Sequence, residues 1–225
     1  MSLRRASTFT QYRANRITVA PAVEPVTAAE FQAHLRIDST LLSDDAANTL
    51  IEEARQFIED ATAVAMITQS WQLNLDRWPD SQAPWWDGVR QGHMNQIHGG
   101  DGAVSVPRWP FQNLTSVKTY DEDSNDTTIT VATTFDVDLQ SIPGRIALQR
   151  GATWPTAMRA VNAIEIAYVA GYGDSATDVP APIRRAVKQM AAYLYSHRGD
   201  GCSSEEAYVE SGAASIMGKY KVLRI

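Results

Sequence analysis

Residue types that could do chemistry occur in several places along the chain, and each falls short of the pattern its chemistry needs. Gly212 to Lys219 has the look of a phosphate-cradling loop. Five residues separate Gly212 from Gly218 where four are required, and Tyr220 stands where a Ser or Thr would hold magnesium. Asp121, Asp123 and Asn125 match the first ligands of a calcium loop, but Asp126 occupies the turning glycine's place and no Glu stands at position 132. That stretch reads as a solvated hairpin turn. His34, His93, His98 and His197 lack ligand spacing, and Cys202 has no companion thiol, so zinc has no support. No Gly-x-Ser-x-Gly elbow is present, and abundant Asp and Glu alone do not define a glycosidase pair. The expectation is a protein that is not an enzyme and takes no cofactor or metal.

Ser43 can cap a helix whose apolar residues, Leu50, Ile51, Ala54, Phe57, Ile58, Ala61 and Val64, line one stripe at a 3.6-residue period. Asp44, Asp45, Glu52 and Glu53 set negative charge toward its N-terminus. The spacing predicts a helix over about 44 to 66, with Arg55 and Glu59 pairing on its solvent side. Before it, Thr27 and Glu30 form a capping box for a short helix ending near Arg36, so residues 21–68 read as a helical hairpin.

Beyond Thr68 the period falls to two. Trp71, Leu73 and Leu75 alternate with Gln72, Asn74 and Asp76, and further strands are expected at 104–106, 114–120, 127–131, 134–139, 145–148 and 163–168. Residues 69–178 thus form an inserted antiparallel β unit. Within it, residues 79–102 are a loop rich in Pro and Gly that carries the paired Trp85 and Trp86, candidates for a partner contact or a carbohydrate platform. Residues 179–211 return to helix: Pro180 and Pro182 open a stripe of Ile183, Ala186, Val187, Met190, Ala191 and Leu194, and a shorter helix follows Ser203 or Ser204. Residues 212–225 read as an extended tail. The fold class expected is α+β, mainly a helical bundle with an inserted β unit.

Charge is segregated. Residues 1–16 carry Arg4, Arg5, Arg13 and Arg16 without an acid, and residues 219–225 carry Lys219, Lys221 and Arg224. With seven of the 20 Lys and Arg at these ends, 13 face all 26 Asp and Glu, and the body carries −13 against −6 for the whole chain. An acidic body is a poor grip for a nucleic-acid backbone, which calls for clustered Lys and Arg. Residues 1–20 read as a basic arm with the composition of a transit peptide but no secretory apolar stretch, and Arg4 and Arg5 are candidate partner contacts. No run reaches the roughly 20 apolar residues of a membrane helix.

An ordered set of short pieces then carries a resemblance. Pro25-Val26-Thr27-Ala28-Ala29-Glu30, His34-Leu35-Arg36-Ile37-Asp38, Asp44-Asp45, Ala61-Thr62 and Ile67-Thr68-Gln69-Ser70-Trp71 come first. Pro143-Gly144-Arg145-Ile146, Trp154-Pro155, Ala170-Gly171-Tyr172-Gly173, Val179-Pro180 and Tyr220-Lys221-Val222-Leu223-Arg224 follow. Together, over residues 21–225, they resemble the head-tail connector (adaptor) proteins of tailed phages and gene transfer agents. The loop at 79–102 and the arm before residue 17 depart from that pattern.

The resemblance implies a virion structural protein of the neck, made in the bacterial host cytoplasm and assembled as a ring, commonly twelve-fold, beneath the portal protein. Such a ring extends the channel for double-stranded DNA, without sequence-specific binding, and docks a tail or stopper component. The acidic body would then repel the sliding duplex. In relatives the C-terminal tail reaches the portal, which maps onto Met217, Tyr220, Lys221, Val222, Leu223, Arg224 and Ile225. Their apolar members lie in a segment too short and Gly-broken to bury them alone, so a partner is expected. Alternatives are a tail-completion protein lower in the same assembly, and a carbohydrate- or peptide-binding β module built on Trp71, Trp78, Trp85 and Trp86.

Overall fold

The structure, a computed structural model, describes residues 12–78, 103–157, 159–199 and 203–220. The chain divides into two compact units. One comprises Met1–Thr18, Trp71–Val106 and Asn113–Tyr168; the other comprises Val19–Ser70, Pro107–Gln112 and Val169–Ile225.

The second unit is helical. α1 (Ala28–Leu35) opens with the expected capping box, in which Thr27 accepts from the Glu30 amide and Glu30 accepts from the Thr27 amide. α2 (Asp44–Thr62) is capped by Ser43, whose hydroxyl accepts from the Ala46 amide. It stops four residues short of the expected end. Ala63 turns left-handed at φ 62°, and the chain beyond it is captured by a neighbour: Trp109 N–H donates to the Ala63 carbonyl and the Ala65 amide donates to Trp109. Pairing with a distant segment overrides the helical period there. α4 (Ala181–Ser196) begins with Pro182 in its first turn and buries Ile183, Ala186, Val187, Met190 and Ala191, the stripe that its spacing predicted. α5 (Ser204–Glu210) is capped by Ser203, and α6 (Ala213–Met217) follows Gly212, whose φ of 79° suits a residue without a Cβ. α2 packs on α1, α4 and α5, and α4 also packs on α6. Phe31, Ile51, Ile58, Ile183, Val187 and Met190 fill the core between them with no exposed surface.

The first unit is built from strands. A five-stranded sheet runs in the order β1 (Tyr12–Val19), β2 (Gln69–Leu75), β8 (Ile164–Ala170), β4 (Phe111–Tyr120), β5 (Asp126–Ile129). A three-stranded sheet has the order β3 (Val104–Ser105), β7 (Arg145–Leu148), β6 (Phe135–Asp138), with Val104 and Val137 both facing Ile146 across the ladders. Alternation is clean in β8, where Ile164, Ile166 and Tyr168 are buried and the residues between them are half-buried. Trp78 stacks on Trp154 with centroids 4.4 Å apart, beside Phe135, and its indole N–H donates to the Pro155 carbonyl.

Among the described residues there are two sheets and six α-helices, which makes the fold mixed α+β rather than mainly a helical bundle. Residues 12–19, expected within an arm, form a full strand, and residues 213–217, expected in a tail, form a helix. The strand expected over 127–131 ends at Ile129 because Val131–Thr134 closes a single helical turn, α3.

Candidate assembly surfaces

A buried ion network is the most chemically suggestive cluster in the helical unit, and its bonding marks it as structural. Arg55 and Glu59 are 4% and 5% exposed, so they face inward and not toward solvent as their spacing on α2 suggested. Arg55 Nη1 donates to Glu59 at 2.9 Å, and its Nε and Nη2 donate to Glu24 at 2.7 and 3.0 Å. The other oxygen of Glu59 accepts from the Met66 amide and the Gln69 side chain, both at 2.7 Å. Burial works against the Arg55 charge, but Glu24 and Glu59 outweigh it and hold the guanidinium above its ordinary range. Burial pushes the Glu59 carboxyl up, against the pull of Arg55 and the Met66 and Gln69 donors. Both carboxylate oxygens are occupied by protein donors, so the group braces α2 against the segments around it. The missing sequence signal was Glu24, 31 residues away in the Pro-bounded lead-in to α1.

The remaining polar clusters are local. Asp121 accepts from the backbone and side-chain nitrogens of Asn125 at 2.8 and 3.0 Å, closing the β4–β5 turn. Both Asp121 oxygens thus serve the turn itself, in keeping with a solvated hairpin. Among the described residues no group of three His, Cys, Asp or Glu is arranged to hold a metal ion, and no helix is long and apolar enough to cross a membrane.

The C-terminal segment, expected to hold the partner-binding residues, is partly anchored to its own unit. Met217 has no exposed surface and sits among the core residues of α2, α4 and α5, so the expectation that it lies unburied is corrected. α6 achieves this by folding back on α4, which places Met217 on the covered side. Tyr220 is half-buried against the same core. Burial pushes the nearby Tyr172 phenol up to about 12, with Tyr220 adding to the effect. Lys221, Val222, Leu223, Arg224 and Ile225 lie outside the described residues, as do Arg4, Arg5, Trp85 and Trp86. Of the four tryptophans proposed for a sugar platform, Trp71 and Trp78 are buried within the β unit at 7% and 9% exposure. Their faces are spent on packing.

The sheet presents a surface that the sequence reading missed. β1 and β5 are its two outer strands, and both are exposed. In β1, Ala14, Arg16, Ile17, Thr18 and Val19 are exposed, and Asn15 is half-buried with its side chain accepting from the Tyr168 hydroxyl at 2.9 Å. Ile17 and Val19 keep 43% and 59% of their surface in water. The run Ile17-Thr18-Val19 was the available strand signal.

Similarity to known proteins extends over the whole of this architecture. No protein-family model and no curated protein sequence matches the chain. Among solved structures, it is similar to a chain in the neck of an empty gene transfer agent (GTA) particle computed with C6 symmetry. There the TM-score is 0.72 at 22% identity, over 94% of this chain and 97% of that one. A chain in the virion of a native gene transfer agent particle gives 0.70 at 21% identity, over 94% and 96%. A chain in the neck of a native GTA particle computed with C12 symmetry gives 0.66 at 22% identity, over 93% and 97%. At these identities the likeness is one of fold, and it takes in both units.

Proposed function

We propose that the chain is a structural subunit of the neck of a tailed, phage-like particle, a head-tail adaptor that assembles as a ring beneath the portal. The observation that carries this reading is the fold match to GTA neck chains over nearly the full length of both partners. A match confined to one unit would support only a shared module. The symmetric necks in which those chains sit support a ring for this one, and a repeated head-to-tail interface gives such a ring when its rotation closes. The ordered sequence pieces in 21–225 that resemble adaptors are a second, independent line of support.

In this reading the work is mechanical. The acidic body gives a channel wall that repels duplex phosphates, so DNA passes without being gripped. The segment after Met217 engages the portal: Met217 and Tyr220 hold its root on the helical unit, and Lys221, Val222, Leu223, Arg224 and Ile225 supply apolar and basic side chains to the contact.

The test is co-purification with the cognate portal, using the full chain and a version ending at Tyr220. The full chain is expected to co-elute and the shortened one to lose at least tenfold in affinity while remaining folded. Equal binding by both would remove the tail from the contact. No binding by the full chain would remove the adaptor role.

A further inference from the structure

The two outer strands of the five-stranded sheet differ in charge as well as position. β1 lies in a stretch with no acid before Glu24 and includes Arg13 and Arg16. β5 continues from a turn made of Asp121, Glu122, Asp123, Ser124 and Asn125, all exposed, and begins with Asp126. Lys118 on β4 pairs with Asp126 at 2.9 Å, leaving three further acids on that turn. One margin of the sheet is basic and the other acidic.

Each margin is also a strand edge with one ladder made. In the described residues β1 pairs only toward β2 and β5 only toward β4. An outer strand offers a row of N–H and C=O groups to any extended chain that reaches it, and proteins ordinarily blunt such edges with charged side chains, Pro, bulges or very short strands. With four residues and Asp126 at its start, β5 is short and acidic, so a partner strand that docks there has to bring positive charge. β1 has eight residues and no Pro, and exposes Ile17 and Val19. A strand that buries so little of itself gains little from folding onto its own sheet alone.

We infer that β1 of one copy docks along β5 of the next, joining the five-stranded sheets of neighbouring subunits edge to edge. The partner is a second copy of this chain, and the contact is heterologous, basic margin to acidic margin. Pairing of β1 with itself would join two Arg-bearing strands that hold no acid, and β5 with itself would join two strands that hold no base, so neither self-pairing gains a charge match across the ladder. A heterologous contact repeats, and it closes into a ring when the rotation per subunit allows. This inference rests on the ring assigned under the proposed function and specifies which surfaces build it.

Disulfide trapping tests it in the full chain carrying Cys202→Ser, after assembly into particles or rings. Arg16→Cys or Ile17→Cys on β1 is combined with Thr127→Cys or Thr128→Cys on β5, so that both faces of each strand are sampled. The expected result is a covalent ladder for at least one pairing, with no crosslink from either strand's variant alone. A β1 variant that forms dimers by itself overturns the heterologous assignment. Intact oligomers with no ladder in any pairing overturn the edge contact and leave the ring standing, whereas a chain that is monomeric by native mass spectrometry under every condition overturns both. Charge exchange supplies a second arm. Arg16→Glu alone, and Glu122→Lys with Asp123→Lys alone, should each weaken association about fivefold, and their combination should restore it. Additive loss in the combination would contradict the pairing.

Discussion

Glu30 does two jobs with one carboxylate. It closes the capping box on Thr27, and it receives Arg184 Nη2 at 2.6 and 2.8 Å, while Arg184 Nε holds the Pro25 carbonyl at 2.9 Å. The Arg184 hydrogen bond is the main cause that holds the Glu30 carboxyl below its ordinary 4.5. Its contribution is therefore complete above that pH and lost as pH falls through the lowered value. Glu30→Gln keeps a capping side chain and removes the charge. With the side chains 42% and 21% exposed, solvent screening limits the pair. Denaturation at pH 7 should show the variant about 0.5–1 kcal/mol less stable, and the gap should shrink as pH falls below the ordinary carboxylate range; a gap that does not shrink in acid would assign the loss to the cap. The capping box was legible because its partners lie three residues apart. The ion pair was not, because 154 residues separate Glu30 from Arg184 and only the packing of α1 near α4 joins them. The inward placement of Arg55 and Glu59 was hidden for the same reason, since Glu24 accepts from Arg55 and the Met66 amide donates to Glu59, which makes a buried position tenable for each charge.

At the scale of elements, α6 converts the end of the chain from a loose tail into part of the core. Met217 is its anchor, so Met217→Ala should cost about 2–5 kcal/mol in urea unfolding. A cost under 1 kcal/mol would show that the helix is not docked. The apolar stripes of α2 and α4 and the buried Trp71, Leu73 and Leu75 of β2 were readable because a run that repeats its period several times stands out. α6 has five residues, too few for a period to show, and it starts at a glycine that reads equally as an exit. β1 was hidden by its arginines, which suggested a solvated arm, although Ile17, Thr18 and Val19 favour a strand. The helix end at Thr62 was set by Trp109, far outside any local window.

For the molecule as a whole, no group of three His, Cys, Asp or Glu among the described residues is arranged to hold a metal ion, and charge is concentrated at the margins. A sheet has one basic and one acidic edge, an acidic body follows a basic N-terminus, and the C-terminal segment is rooted in the helical core before it leaves Tyr220. Its architecture matches chains from symmetric GTA necks across both units. This was legible only as an ordered set of short pieces; the composition alone pointed no further than a folded α+β protein. Deleting the gene in the producing strain and imaging the particles by electron microscopy tests whether the chain joins heads to tails. DNA-filled heads without attached tails are expected, restored to tailed particles when the full chain is supplied from a plasmid. Tailed particles in normal number from the deletion strain would contradict that role.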